Sequence, residues 1–132
     1  MLALLGAIRK AVSCHVSALP VAYRTRADEP TFMSLSDPDC ACLPEGRAFP
    51  TALDNLACNR YEIAEFTKDA RALGVNYLGV CCGAAPHHIR SMAEALGRHP
   101  PASKYSPDMS RHAYLGTVPE IPAANREFAK NL

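Results

Sequence analysis

The sequence predicts an α/β fold in which helices and strands alternate along the chain. Apolar residues recur at helical spacing in three segments, short apolar runs separate these segments, and glycine or proline marks most of the boundaries. The predicted order is helix, strand, long loop, helix, strand, helix, which is typical of parallel βα units. A length of 132 residues with 48% hydrophobic content suits one domain or part of a larger one.

A helix over residues 2–13 and a strand over residues 15–22 are predicted at the start of the chain. The apolar residues at helical spacing in the first segment are Leu5, Ile8 and Val12. Pro20 lies inside the strand pattern and removes a ladder donor, so we expect the strand to end or bulge there. Residues 24–58 show no periodicity and predict a long loop, and loops of this length tend to be functional or disordered. The apolar residues within it, Phe32, Met33, Leu35 and Phe49, disfavour full disorder.

The second predicted helix begins with a capping box, in which Asn59 is the N-cap and Glu62 stands three residues later. Its apolar residues recur at helical spacing: Ile63, Phe66, Ala70 and Leu73. Gly74 suits the position after the helix end. The short apolar run over 75–80 that follows is typical of a buried parallel strand.

Pro86 suits the first turn of the third predicted helix, and Gly97 suits its end. The predicted buried stripe of this helix is Ile89, Met92, Ala93 and Leu96. After Arg98 the chain becomes polar and rich in proline, with a short final helix predicted over 123–132.

Composition excludes several classes of partner. A net charge of +1 with scattered Lys and Arg predicts no binding to nucleic acid or to an anionic membrane. No apolar stretch is long enough to span a bilayer. The apolar start of the chain is followed, not preceded, by Arg9 and Lys10, which is the wrong order for a signal peptide. We therefore expect a reduced, cytoplasmic chain despite its six cysteines.

Cys81 and Cys82 are the residues most indicative of chemistry, because they follow the second predicted strand and the carboxyl ends of strands form the sites of α/β folds. A thiolate pair there predicts a zinc site, provided that Gly83 lets the backbone turn so that both sulfurs face one point. The alternative is two small residues that fill space behind a strand. His87 or His88 could donate a hydrogen bond to such a site, although histidines at helix starts are usually solvated.

The remaining cysteines give weaker signals. Cys40 and Cys42 lie in the long loop without a second ligand pair, so we expect free surface thiols. Cys58 has no visible partner, and Cys14 is expected to be buried at the start of the sheet.

Beyond these patterns, the segment 74–96, which contains the Gly-x-Cys-Cys-Gly core, resembles the last strand and helix of the homocysteine S-methyltransferase family. The nearest branch is the betaine–homocysteine S-methyltransferases. The resemblance covers the chain from about Ala11 onward. Further matching segments are 19–23, 60–66, 100–103 and 108–109.

The resemblance implies the carboxyl-terminal part of a (β/α)8 TIM barrel, namely its last two βα units, plus an extended tail. Residues 1–97 would be the partial barrel domain that binds homocysteine, and residues 98–132 the extension. It further implies that Zn2+ is bound by Cys81, Cys82 and a third cysteine in a Gly-x-Asn-Cys motif of an earlier strand. Zinc would hold homocysteine as a thiolate, which takes a methyl group from betaine, S-methylmethionine or S-adenosylmethionine.

The chain departs from the family pattern because it contains no Gly-x-Asn-Cys motif, which the resemblance places shortly before Met1. It also has no counterpart of the first six strands, so we expect it to be inactive alone. The long loop would lie on the catalytic face, where Phe32 and Phe49 are either loop anchors or walls of a donor pocket. The tail resembles a segment used in subunit contacts, which keeps a homo-oligomer formed through the tail as an expectation.

Two other functions stay open from the sequence. One is a non-catalytic interaction module that pairs with another protein through exposed strand edges. The other is a small thiol-redox protein, which is disfavoured because joining neighbouring cysteines strains the linkage.

Overall fold

A computed structural model describes residues 1–131 and divides them into two compact units, Met1–Pro100 and the segment from Pro101 onward. The predicted order of helix, strand, long loop, helix, strand and helix is confirmed in the first unit. The helices are α1 Leu2–Ala11, α2 Arg60–Ala72, α3 Pro86–Ala95 and α4 Ala123–Ala129, and the strands are β1 Ser17–Ala18 and β2 Tyr77–Leu78. Among residues 1–131, no helix has both the length and the apolar character that crossing a bilayer requires.

The capping box of α2 is confirmed. The side chain of Asn59 accepts hydrogen bonds from the backbone N–H groups of Tyr61 (2.9 Å) and Glu62 (3.0 Å). The Glu62 carboxylate accepts one from the Asn59 N–H at 2.7 Å, so otherwise unpaired donors at the helix start are satisfied. Gly74 ends the helix region with φ +86°, the left-handed conformation that favours glycine at this position.

The sheet consists of β1 and β2 in parallel register, with Ser17 opposite Tyr77. Both strands are shorter than the predicted runs, but single hydrogen bonds continue the pairing beyond them. The N–H of Gly79 donates to the carbonyl of Ala18 at 3.0 Å, and that of Cys81 donates to the carbonyl of Pro20 at 2.7 Å. Regular strand structure in β1 stops before Pro20, as expected from its missing donor.

Two apolar clusters hold the first unit together, and α2 contributes to both. One joins α1, β1 and α2 around the buried residues Leu5, Val16, Ala18, Ala70 and Val75. The other lies between α2 and α3 and contains Ala22, Ile63 and Met92. Burying aliphatic side chains of this size contributes on the order of 1.5–3 kcal/mol each. The first unit therefore has two apolar clusters, and Leu78 of β2 packs against both of them.

The predicted buried stripe of α3 is wrong at Ile89, which is 51% exposed. The buried face is His88, Ser91 and Met92, one residue earlier along the helix. Helical spacing alone allows both faces, because Met92 belongs to each of them. Packing against α2 decides between them.

The loop over 24–58 leaves the sheet and returns to it at one place. Tyr23 and Ala57 form an antiparallel bridge, and the N–H of Cys58 donates to the carbonyl of Ala22 at 2.8 Å. Within the loop, the side chain of Leu35 is 1% exposed. The Ala48 N–H donates to the carbonyl of Leu35 at 3.1 Å, so this loop has a small packed centre of its own.

The second unit is described by itself. Its short helix α4 is confirmed over part of the predicted range, and Leu132 lies outside the described residues. Among the described residues of this unit, Ile121 is the buried apolar side chain, and the rings of Tyr114 and Phe128 lie 5.5 Å apart. A Cβ at Gly116 would lie 2.4 Å from the Ser110 carbonyl oxygen, so glycine is required at this close approach.

We predict that the stability supplied by Glu62 depends on pH. Arg24 binds the Glu62 carboxylate through Nε and Nη2, each at 2.7 Å, and this hydrogen bonding lowers the pKa of Glu62. A lowered carboxyl pKa stabilises the fold above the unfolded-state value of about 4.3, and the contribution disappears as pH falls through the folded-state value. Both side chains are about 40% exposed, so solvent screening limits the effect to about 1 kcal/mol or less.

In urea unfolding, Glu62→Gln should lower the free energy of unfolding near neutral pH, and its difference from the unsubstituted protein should shrink toward about pH 3. The control is Glu65→Gln on the exposed side of the same helix, which should run parallel to the unsubstituted protein. A difference for Glu62→Gln that stays constant with pH would contradict this account.

Candidate metal centre

Cys81 and Cys82 lie in a tight turn directly after β2. The Ala84 N–H donates to the carbonyl of Cys81 at 3.3 Å, and Gly83 has φ +78°. A positive φ at the third position of a four-residue turn defines type II geometry, which favours glycine there. The turn expected at Gly83 is therefore present, and the backbone leaves β geometry at the cysteine pair.

Backbone hydrogen bonds hold this turn to the end of the β1 segment on both sides of the Cys81–Cys82 peptide. The Cys81 N–H donates to the carbonyl of Pro20 at 2.7 Å, and the Ala22 N–H donates to the carbonyl of Cys82 at 3.2 Å. Ala22 is fully buried. These bonds fix the peptide that carries both thiols against the neighbouring β1 segment, which is buried at Ala22.

The two thiols are exposed and lie close together, with 3.6 Å between their sulfur atoms. Two sulfurs bound to one tetrahedral zinc at about 2.3 Å are separated by about 3.8 Å. The pair therefore fits two positions of such a site without rearrangement. Within residues 1–131, no three His, Cys, Asp or Glu side chains form a group that could hold a metal ion.

Cys81 also affects the ionisation of Cys82. The pKa of Cys82 is raised, first by its hydrogen bond with Cys81, then by the charge of that neighbour, and then by slight burial. Two adjacent thiolates repel each other, so the fully ionised pair is disfavoured without a cation between them. A soft divalent metal supplies that charge and prefers thiolate ligands.

Tyr23 covers the turn, and the sequence patterns do not single it out. A Cβ placed on Gly83 would lie 2.3 Å from the Tyr23 ring carbon Cζ and 2.5 Å from its hydroxyl oxygen. The Tyr23 ring stacks on Phe32 at 5.7 Å between centroids, and Phe32 contacts Phe49 edge-to-face at 5.8 Å. Phe32 and Phe49 thus hold the long loop against the turn, which is the anchoring role considered for them. Two signals could have indicated Tyr23: its position just after the β1 segment, and its place in segment 19–23, which resembles the family.

The expectation that histidines at this helix start are solvated is wrong for His88, which is 3% exposed. Its Nδ1 accepts a hydrogen bond from the Ala85 N–H at 3.0 Å, and its Nε2 lies 2.9 Å from the Cys58 carbonyl. An accepting Nδ1 requires the proton on Nε2, which donates to Cys58. His88 therefore joins the start of α3 to the end of the long loop, and these two hydrogen bonds use both of its ring nitrogens.

Two expectations about the other cysteines are also wrong. Cys40 and Cys42 form a disulfide instead of free thiols, because one intervening residue leaves their Cα atoms 5.3 Å apart. Cys14 is exposed instead of buried, because regular pairing begins only at Ser17. Cys58 is half-buried, and burial raises the pKa of its thiol. Among the described residues, none of these four cysteines joins the Cys81–Cys82 pair in a group that could hold a metal ion.

The region that contains the turn and both βα units, residues 7–96, matches the family model described as homocysteine S-methyltransferase. The chain belongs to the homocysteine S-methyltransferase family. The match includes Cys81, Cys82 and Gly83 and ends at Leu96, near the end of α3.

Three relatives in this family align with most of this chain but with only a part of their own length. The chain is 32% identical to S-methylmethionine–homocysteine S-methyltransferase of Pongo abelii, over 96% of this chain and 34% of the relative. It is 34% identical to betaine–homocysteine S-methyltransferase 1 of Mus musculus, over 92% of this chain and 28% of the relative. It is 38% identical to betaine–homocysteine S-methyltransferase 1 of Rattus norvegicus, over 72% of this chain and 25% of the relative. The chain spans about a third or less of the length of these curated relatives.

We predict that His88→Ala destabilises the protein by about 1–3 kcal/mol, because it leaves the half-buried Cys58 carbonyl and the Ala85 N–H without their partner. Thermal or urea unfolding measures the loss. The matched control is His87→Ala, an exposed neighbour in the same helical turn, which should change stability by less than about 0.5 kcal/mol. Equal effects of the two substitutions would show that the hydrogen bonds of His88 are not what stabilises this junction.

Proposed function

We propose that this chain takes part in methyl transfer to homocysteine, with Cys81 and Cys82 as two thiolate ligands of a catalytic Zn2+. The observation that carries the proposal is the 3.6 Å separation of two exposed sulfurs in a turn at the carboxyl end of a parallel strand. That is the end of the strand at which α/β enzymes form their active sites. Family membership supports the reaction class.

The chemistry follows from these ligands. Zinc, when bound, keeps the substrate thiol ionised and nucleophilic at neutral pH. The chain's own contribution is to hold Cys81 and Cys82 at a fixed separation, so that little reorganisation is needed when a metal and a substrate thiol join them. The homocysteine sulfur then forms a bond to the methyl carbon as the donor's onium centre releases that methyl and keeps the bonding electron pair. The products are methionine and the demethylated donor.

The proposed donor is betaine or S-methylmethionine, the compounds in the names of the relatives. S-adenosylmethionine carries the same kind of onium methyl and is the third candidate. We further propose that α2, α3 and the two strands form the last two βα units of a (β/α)8 TIM barrel. In this proposal residues 1–97 form the barrel part and residues 98–132 an extension that supports self-association, and the protein works in the cytoplasm.

Two protein thiolates leave a catalytic zinc one protein ligand short, since such sites take three protein ligands and an open position. We propose that the third ligand comes from outside the described residues. The segment that aligns with this chain is 34% and 28% of the length of two curated relatives. The remainder of each relative is long enough to form the rest of a barrel. On this basis the chain alone binds zinc weakly and does not turn over substrate.

We predict that cobalt(II), used as a spectroscopic substitute for zinc, gives thiolate-to-metal charge-transfer absorption with the purified chain, and that Cys81→Ala or Cys82→Ala abolishes it. Each substitution leaves one thiolate, which cannot chelate. The matched control is Cys14→Ala, which removes another exposed thiol and should leave the titration unchanged. A second control, Cys40→Ser with Cys42→Ser, shows whether the disulfide pair contributes. Unchanged metal stoichiometry in Cys81→Ala would remove the proposed site.

Catalysis is tested in a chimera in which residues 11–132 replace the matching segment of the mouse relative. We expect methionine formation from homocysteine with betaine or S-methylmethionine as donor, and at least a 100-fold loss in the same chimera carrying Cys82→Ala. Direct assay of methionine measures both. A chimera that folds and binds zinc but is inactive with every donor would instead favour the interaction module that pairs through strand edges.

A further inference from the structure

We propose that Tyr23 is a positioning residue for the metal ligands, which acts by closing on Gly83 and fixing the turn that sets the spacing of the Cys81 and Cys82 sulfurs. This inference rests on the proposed metal site and adds a residue to it. Tyr23 is not a metal ligand in this proposal. It restricts the backbone of the turn, at the peptide between Cys82 and Gly83.

The contact between Tyr23 and Gly83 is the first argument. The ring occupies the place of a side chain on Gly83, since any Cβ there would lie 2.3 Å from the ring carbon Cζ. Glycine has the widest conformational freedom of any residue, so a turn ending in glycine is easily rearranged. A ring packed directly on that glycine removes the space into which the peptide between Cys82 and Gly83 could rotate.

The hydrogen bonds of the turn do not make this contact redundant. The Cys81 N–H and the Cys82 carbonyl are bound to Pro20 and Ala22, but the Ala22 bond is long at 3.2 Å. Rotation of the Cys82–Gly83 peptide would break that single bond and convert the turn to a different type. The rotation would also change ψ of Cys82, and because the favoured side-chain rotamers depend on φ and ψ, it would change the favoured position of the Cys82 sulfur. Tyr23 therefore restricts a backbone motion that would alter the spacing of the two sulfurs.

The position of Tyr23 is itself fixed by two independent contacts. Its backbone forms the antiparallel bridge with Ala57 where the long loop returns to the sheet. Its ring stacks on Phe32, with 23° between the planes, and Phe32 is in contact with Phe49. Phe32 and Phe49 come from two parts of the long loop, so the packing of the loop is connected to the cysteine turn through Tyr23.

The test compares Tyr23→Ala with Tyr23→Phe, in a background where Cys40 and Cys42 are both replaced by serine so that the turn holds the only close thiol pair. The probes are phenylarsine oxide, which must bind two neighbouring thiols at once, and cobalt(II). We expect Tyr23→Ala to weaken binding of both probes by about 10–100-fold. Tyr23→Phe should restore binding to within about 3-fold of the background protein, because the ring carries the effect and not the hydroxyl.

A merely structural role would lower the midpoint of thermal unfolding without changing probe affinity in the folded protein, and that result would overturn the inference. The matched control is Tyr61→Ala, a half-exposed tyrosine on α2, which should leave both affinities unchanged. Should Tyr23→Ala fail to fold, Tyr23→Leu keeps an apolar side chain but lacks the ring that reaches Gly83. We expect the same loss from it, and retained affinity would again overturn the inference.

The outcomes separate the two proposals. If the background protein binds neither probe through Cys81 and Cys82, the proposed metal site is rejected, and the inference about Tyr23 is rejected with it. If the background protein binds both probes and Tyr23→Ala binds them equally well, the metal site stands and only the role of Tyr23 is rejected.

Discussion

The candidate centre depends on two backbone hydrogen bonds between the ends of neighbouring parallel segments. Pro20 accepts from Cys81, and Ala22 donates to Cys82, so the peptide that carries both thiols is held on each side. Each bond contributes only about 0.5–1.5 kcal/mol of net stability. Their larger effect is geometric, because they hold the two sulfurs 3.6 Å apart. Without that pairing, adjacent side chains on an extended strand would point to opposite faces.

The long loop is part of the same junction. It leaves after Tyr23 and returns at Cys58, where His88 donates to the Cys58 carbonyl and Arg24 binds Glu62 at the start of α2. Both helices, the loop and the cysteine turn therefore meet within a few residues of the same strand ends. A displacement of any one of them is transmitted to the turn, because close-packed interiors have low compressibility.

The thiol pair offers a metal two ligands, and residues 1–131 bring no third His, Cys, Asp or Glu side chain to it. The chain aligns with about a third or less of the length of relatives that act on homocysteine. In the proposed enzyme, therefore, the site is completed by sequence beyond the described residues. In that proposal, the exposed side of the pair is where the remaining ligand, the metal and the substrate would approach.

The sequence by itself determined the features that depend on neighbours a few residues away. These include the capping box of Asn59 and Glu62, the helix end at Gly74 and the turn at Gly83, all of which are local hydrogen-bond or backbone preferences. The tertiary structure alone decided which face of α3 is buried, since helical spacing fits Ile89 and His88 equally well. It also decided that Tyr23 covers Gly83, because that contact joins residues from two separate βα units. Periodicity reports which side chains can be buried together, whereas long-range packing selects the partner that they meet.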